Sequence, residues 1–500
     1  MKNKYLFLRG KTYVLLFATG IFLFGSCTQG YDGELWESPI KNSQLQSPEE
    51  SEFKFGTVLK SDGSEVAVVN WPVVYGAGGY LFNLAIIDDP ENPIPVVTDS
   101  IIDGCTVMFD KLEDTKYEIS VRTLGNEKLN NKAAEKASTC TYSTLIPAMQ
   151  IPEGIEIASF IQEHLQMSEK EQAFELAAGK TYHLDELIDF GLNTITFRGN
   201  KTHRPTIIVG ENGGIKTQGG LKTKFINFDC TSMKATGLLT LSENPDESIS
   251  TANLGYKAVG ANQDGFVINN PIIFQECNIK NLKNSLLYGN KKNWSLRDFR
   301  VMDCIVQLNN SGSNSIIHLQ GASNGLIKNL TIKNSTFYNL VMNKSAYFIR
   351  YSNSSNAQPK KIFGENDNSS TFIISHNTFC KTFSNKDFAN NMPNTNTLVT
   401  NIEYNIFYDV FRLYQIIQNQ SYMTTPGNTI WGVDGGTPNS NDTGGRKDKL
   451  GNPYATLEDP QFVGPFLQEF DLEQLNGGVN FKPTGAIAVE NKAGDPRWYE

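Results

Sequence analysis

The sequence predicts an all-β protein in two parts, a small antiparallel sandwich followed by a long stack of β coils. Three observations carry this reading. Short apolar segments alternate with a period of two and are punctuated by Gly, Asp and Asn. One motif, apolar-x-x-(Cys/Ser/Asn)-x-apolar, returns along the second half of the chain. Asparagine is concentrated there as well: 33 of the 50 asparagines fall in residues 251–450. Helices tolerate such a density poorly, whereas turn-rich β structure uses it, because Asn enters left-handed turns and bonds its own backbone. With 39% hydrophobic and 19% charged residues, the 500-residue chain is neither a disordered polyelectrolyte nor a multi-span membrane protein. Its net charge of −9, with no basic block in the body, argues against nucleic acid as a partner.

The chain start reads as a targeting segment over residues 1–26. Lys2, Lys4, Arg9 and Lys11 form a basic region, an apolar run extends from Tyr13 to Phe24, and Gly25-Ser26 precede Cys27. This resembles a bacterial lipoprotein signal, which implies cleavage before Cys27, a lipid on that cysteine and attachment to a membrane. Phe24 departs from the usual Leu. Asp32, Glu34 and Glu37 resemble the acidic export signals of surface-exposed lipoproteins in Bacteroidetes-type bacteria, so the expected location is the outer membrane, facing outward. Residues 27–52, rich in Ser, Gln, Glu and Pro, read as a tether.

Residues 53–147 carry the sandwich. Val66–Trp71, Tyr80–Leu84 and Tyr117–Val121 alternate in the β manner between Asp/Gly turns, and Trp71 suits a buried core tryptophan. Leu112, Thr115 and Tyr117 suit a corner in which the phenol bonds upstream backbone. Together these features resemble a fibronectin type III domain, which implies a spacer rather than a site of chemistry. Cys105 and Cys140 share this module and could pair outside the cytoplasm; sequence leaves their geometry open.

Residues 148–456 begin with a helical pattern near Ile157–Leu165, followed by glycine-broken strands at Ala173–Leu176, Ile195–Gly199 and Thr206–Val209. The recurrent motif then appears as Phe274-Gln-Glu-Cys277-Asn-Ile279, Val301-Met-Asp-Cys304-Ile-Val306, Ile332-Lys-Asn-Ser335-Thr-Phe337, Ile374-Ser-His-Asn377-Thr-Phe379 and Ile402-Glu-Tyr-Asn405-Ile-Phe407. Each copy supplies an apolar strand residue, a bend, a small ladder residue and a second apolar residue, so that stacked coils align like with like. Cys230, Cys277 and Cys304 read as buried fillers, and Asn377 and Asn405 as groups satisfying backbone at the bend. A capping helix followed by this ladder resembles the right-handed parallel β-helix of the pectate-lyase-like superfamily. Residues 457–500 contain Asp459-Pro-Gln-Phe462 and Gly494-Asp-Pro-Arg-Trp498. With the lipoprotein signal and the sandwich, they resemble an uncharacterised family encoded with bacterial polysaccharide-utilisation systems.

In that superfamily the glycan lies across a strand following the ladder strand. Here its signature, apolar-x-apolar, is read at Leu287-Tyr288-Gly289, Ile317-His318-Leu319, Ile349-Arg350-Tyr351 and Phe411-Arg412-Leu413. Period-two alternation would send Tyr288, His318, Arg350 and Arg412 outward as one exposed stripe. Guanidinium groups there suit carboxylates and aromatic faces cover sugar rings, so the stripe suits an acidic polysaccharide. The leading expectation is binding. A lyase would use His318 or Tyr288 as the base and Arg350 and Arg412 to neutralise charge, and a structural or adhesive surface protein is the third reading. Insertions at 242–270, 352–371, 384–397 and 418–456 place Tyr256, Trp294, Tyr422 and Trp431 near loops, where each could be a sugar platform, Trp294 among the expected binding residues. No cofactor is expected. The stripe lacks the carboxylates of calcium-dependent lyases, and only Asp229, Glu276 and Asp303, on successive coils, offer a place for Ca²⁺. Other surface proteins of a polysaccharide-utilisation system are conceivable partners.

Overall fold

The computed structural model describes residues 40–60, 64–256, 264–289, 291–320, 325–342, 345–352, 358–392, 397–413, 422–433, 438, 440–464 and 480–499. Cys27, the targeting segment and the first part of the tether lie outside the described residues. The chain divides into two units, Met1–Leu145 and Ile146–Glu500.

In the first unit seven antiparallel strands are described. They are β1 (Lys54–Leu59), β2 (Glu65–Asn70), β3 (Tyr80–Ile86), β4 (Ile94–Ile102), β5 (Thr106–Asp110), β6 (Lys116–Thr123) and β7 (Ser138–Ser143). They form two sheets, β1-β2-β5 and β4-β3-β6-β7. Alternation becomes burial: Tyr117, Ile119 and Val121 of β6 turn inward against Phe82, Leu84 and Trp71. The Tyr117 hydroxyl donates to the Asp110 carbonyl at 3.0 Å and accepts from the Leu112 N–H at 3.0 Å, pinning the crossover into β6. Cys105 and Cys140 are not joined in a disulfide. Burial pushes the Cys140 thiol up to about 11.

The second unit opens with helix α1 (Ile157–His164), close to the sequence expectation. Glu156 caps it, its carboxylate accepting from the Ser159 N–H at 2.7 Å. Ile157, Ala158, Phe160 and Ile161 are buried and belong to the same core as the first coil, which they cover. Successive coils then contribute strands to three parallel sheets of eleven, ten and seven strands, a right-handed parallel β-helix. Like residues stack in register: Phe337, Phe379 and Phe407 pair on consecutive coils with ring centroids 5.6 and 5.2 Å apart.

The recurrent motif is the corner between the first and second sheets. Its bend residue is left-handed in coil after coil: Phe225 (φ 59°), Glu276 (50°), Asp303 (54°), Asn334 (50°), His376 (55°), Tyr404 (55°) and Gly427 (69°). A bulky side chain is strained there, yet each bend of the series up to Tyr404 gains a bond to the next coil. The N–H groups of Glu276, Asp303, Asn334 and His376 donate to the carbonyls of Met302, Lys333, Ser375 and Glu403 at 3.0–3.1 Å. Just inside runs the ladder. Asn428 Oδ1 accepts from the Asn405 N–H at 2.9 Å, Asn405 Oδ1 from the Asn377 N–H at 2.9 Å, and Asn377 Oδ1 from the Ser335 N–H at 3.0 Å. Ser335 Oγ in turn accepts from the Cys304 N–H at 3.1 Å.

Two sequence expectations are corrected here. The 418–456 insertion contains a further coil, with strands Tyr422–Thr424 and Thr429–Gly432 and ladder residue Asn428. Asp229 does not share a column with Glu276 and Asp303. It pairs in register with Lys280 on the second sheet, and Phe225 takes the bend. Glu276 instead meets Arg204 at 3.1 Å, and Asp303 accepts from Asn334 Nδ2 at 3.1 Å.

The C-terminal signature folds back as a clamp on the second sheet. The Arg497 guanidinium donates to the carbonyls of Asp303 (2.8 Å), Cys304 (2.9 Å) and Asn334 (3.1 Å) and pairs with the fully buried Asp495 carboxylate. Asp495 also accepts from Thr336 Oγ1 at 2.8 Å, and the Trp498 indole N–H donates to the same hydroxyl at 2.7 Å. Trp498 packs with Ile305, Tyr338, Cys380 and Phe481 in a core of their own.

Candidate functional site

The third sheet carries the stripe that the sequence suggested, and carries it further. Asp189, Lys216, Thr240, Tyr288, His318, Arg350 and Asn390 occupy one register position on seven consecutive coils. Their neighbours Ile188, Ile215, Leu239, Leu287, Ile317, Ile349 and Ala389 point the other way and are buried. Tyr288, His318 and Arg350 are thus brought together as expected. The same apolar-x-apolar pattern stands at Ile188-Asp189-Phe190 and Leu239-Thr240-Leu241, and would have extended the stripe.

Three expected members behave differently. His318 is buried, only 4% exposed, because Tyr288 and Arg350 flank it on the adjacent coils. In a solenoid an outward side chain has a like-placed neighbour on each side, and large neighbours cover it. Its ring lies 5.1 Å from that of Tyr288. Burial and the charge of Arg350 push its imidazole down to about 4, so it is neutral at pH 7. Nδ1 accepts from the Ser315 N–H at 3.3 Å, while Nε2 is buried without a hydrogen bond.

Arg412 leaves the stripe. It bridges to Asp387, three residues before the stripe residue Asn390, and its guanidinium pairs with the Asp387 carboxylate on two sides. Trp294 is not a loop platform. It begins the strand Trp294–Met302, its ring is 1% exposed, and its indole N–H donates to the Ser242 carbonyl at 3.1 Å. Tyr256 is likewise engaged, donating to Asn269 at 2.8 Å, accepting from Arg297 at 3.1 Å and packing on Phe363.

Arg350 differs from Arg412. It has no carboxylate partner among the described residues, its buried Nε makes no hydrogen bond, and its guanidinium lies 5.8 Å from the Tyr347 ring centroid. A half-covered cation with an orphaned donor beside an aromatic face is suited to an anion.

At the other end of the stripe lies an open cleft of about 530 Å³ that the sequence reading missed. Lys216, Thr240 and Tyr288 form part of its lining, with Lys234, Lys291, Glu211 and Glu243 on its walls. Trp294 reaches it only from below, as part of the core. The wall residues come from turns whose polar composition carries no distinguishing pattern, so only the stacking of coils reveals them.

Against known proteins, residues 1–181 match a family model described as a domain of unknown function (DUF4992), and residues 180–340 match a second so described (DUF4957). No curated protein matches. Among solved structures, one likeness is to the catalytic domain of a GH87 α-1,3-glucanase in complex with nigerose. It has 8% identity and a TM-score of 0.25, and covers 84% of this chain and 96% of that one. Another is to the pectate lyase PelI from Erwinia chrysanthemi in complex with tetragalacturonic acid, at 12% identity and a TM-score of 0.13, covering 62% and 87%.

Beyond Arg350 a buried acidic group stands near the last turns. Asp442 is wholly buried; Oδ2 accepts from the Leu413 N–H at 3.0 Å and Oδ1 has no partner. Burial, with a smaller contribution from Asp387, pushes its carboxyl up to about 7 against the pull of the Leu413 N–H, Arg412 and Arg446. An unfolded aspartate titrates near 3.9, so the folded state holds this proton more tightly. Its contribution to stability is therefore complete below about pH 4 and is lost as the pH rises to about 7, by roughly 4 kcal/mol in all. We expect Asp442→Asn to remove this component. Urea unfolding at pH 4.5 and 7.5 checks it: the stability difference between variant and wild type should grow with pH in favour of the variant.

Proposed function

We propose that this protein is a surface lipoprotein that binds an extracellular acidic polysaccharide along the outer face of the third sheet. Lipid on Cys27 would anchor it in the outer membrane, and the tether and sandwich would hold the β-helix away from the surface. The strand order of the sandwich and its Tyr117 corner favour a fibronectin type III spacer. The observation that carries the binding reading is Arg350, a guanidinium without a carboxylate, placed beside Tyr347 and in line with Tyr288 and the open cleft. Bonds from a charged donor contribute about 1.5–3 kcal/mol, so Arg350→Ala should weaken binding to an acidic polysaccharide about tenfold or more. Affinity electrophoresis of the soluble form beginning after Cys27 measures this directly. Unchanged mobility shifts would remove Arg350 from the site.

One observation favours a second reading, a lyase. His318 is a neutral imidazole next to a cation, the pairing that proton abstraction beside a carboxylate requires. Its covered Nε2 favours a positioning role within the Tyr288–His318–Arg350 stack. Ultraviolet absorbance from unsaturated sugar ends separates the two: absorbance growing with time makes the protein a lyase, and binding without it makes it a receptor.

A further inference from the structure

We infer that the ligand is a mixed glycan in which neutral sugars alternate with acidic ones, rather than a continuous polyuronate. The inference rests on the binding reading above and concerns which polymer fits that site. Its basis is the uneven distribution of charge along the stripe. In the cleft every lining lysine has a carboxylate partner: Lys216 with Asp189 at 2.8 Å, Lys234 with Glu211 at 2.6 Å and Lys291 with Glu243 at 2.7 Å. That section offers no surplus positive charge. Thr240 and Tyr288 supply a hydroxyl and an aromatic ring, and the ion-paired heads supply acceptors and donors in both directions, which suits the hydroxyl groups of an uncharged sugar. A carboxylate entering there would find each ammonium already paired with Asp189, Glu211 or Glu243 and would gain no uncompensated charge.

Three coils beyond Thr240 the charge is uncompensated. Arg350 has no carboxylate among the described residues, and the two orphaned buried nitrogens, His318 Nε2 and Arg350 Nε, lie on adjacent register positions. Tyr288 connects the sections: it lines the cleft and its ring lies 5.1 Å from that of His318. The cleft's three stripe residues, Lys216, Thr240 and Tyr288, centre on Thr240, three coils before Arg350. With coils spaced about 4.8 Å apart, the two sections stand about 14 Å apart along the axis, an odd number of sugar lengths, as alternation requires. A chain lying along the stripe therefore presents an uncharged ring to the cleft and an acid to Arg350. A polyuronate would place an acid at both.

The test is affinity electrophoresis and calorimetry of the soluble protein with four polymers: polygalacturonate, dextran, rhamnogalacturonan and hyaluronan. The last two alternate an uncharged sugar with a uronate. Carboxyl-reduced rhamnogalacturonan is the matched neutral control. The inference predicts that at least one alternating polymer binds ten or more times more tightly than polygalacturonate and dextran, and that carboxyl reduction or Arg350→Ala abolishes the preference. It also predicts that the double variant Glu211→Gln/Glu243→Gln, which makes the cleft cationic through exposed positions, narrows the gap by raising affinity for polygalacturonate. If polygalacturonate binds wild type as tightly as both alternating polymers, and Arg350→Ala weakens all three, the inference is overturned while the binding site stands. If no acidic polymer binds, or Arg350→Ala changes nothing, both fall together.

Discussion

Replacing Arg497 with alanine is expected to destabilise the β-helix unit by about 3–5 kcal/mol, the range for removing one partner of a buried ion pair. The reason lies in what the guanidinium joins. It donates to three backbone carbonyls from two neighbouring coils, at Asp303, Cys304 and Asn334, and neutralises Asp495, whose side chain has no exposed surface. Without it Asp495 is a buried charge held only by Thr336 Oγ1 and the backbone N–H of residue 497. The Trp498 contact with Thr336 then loses its neighbour, and the Phe481–Trp498–Tyr338 cluster loosens. Arg497→Lys should recover part of the loss, because a point charge can meet Asp495 but cannot span three carbonyls. Urea unfolding of the soluble protein measures both. A change below about 1 kcal/mol for Arg497→Ala, the size of an ordinary surface pair, would show that the clamp is an accessory.

Asn405→Ala should cost about 2–5 kcal/mol, since two or more buried groups lose their partner at about 1–3 kcal/mol each. Asn405 Oδ1 accepts from the Asn377 N–H (2.9 Å) and Asn377 Nδ2 (3.0 Å), and its own Nδ2 donates to the Ile374 carbonyl at 2.8 Å. All of this is sealed from water, with Asn405 and Asn377 fully buried. Asn405→Ser should be milder, because Ser335 fills the same place in an earlier coil and bonds the Cys304 N–H with its hydroxyl. Equilibrium unfolding checks the order wild type, serine, alanine. Equal stability of serine and alanine variants would mean that the ladder is not held by its hydrogen bonds.

These two residues also mark how far the sequence could be read. The ladder was legible because its logic is local: apolar, bend, small polar, apolar, repeated where coils must align. The same holds for α1, whose apolar spacing and Glu156 cap lie within one short segment. The coil at Asn428 escaped because Thr425 stands where the motif has an apolar residue and Gly427 replaces a side-chain-bearing bend residue. Arg497 stood in a recognised signature, yet its partners lie more than 160 residues away, and nothing in the spacing identifies them. The stripe was partly legible for the same reason as the ladder. Tyr288, His318 and Arg350 follow from alternation, whereas the displacement of Arg412 depends on how the preceding coil reaches Asp387. The burial of His318 depends on the size of residues one coil away on either side, and alternation alone does not reveal it. Trp294 was misplaced because a strand entering directly from a polar turn looks like the end of a loop.

The most direct test of the central claim is hydroxyl-radical footprinting of the soluble protein with and without a saturating acidic polysaccharide. Tyr288 and Tyr347 flank the proposed path at the cleft and at Arg350, while Tyr75 in the sandwich is 60% exposed and serves as the reference. The account predicts that saturation protects Tyr288 and Tyr347 and leaves Tyr75 as reactive as before. Protection of Tyr75 with Tyr288 and Tyr347 unchanged would place the ligand on the sandwich and contradict it.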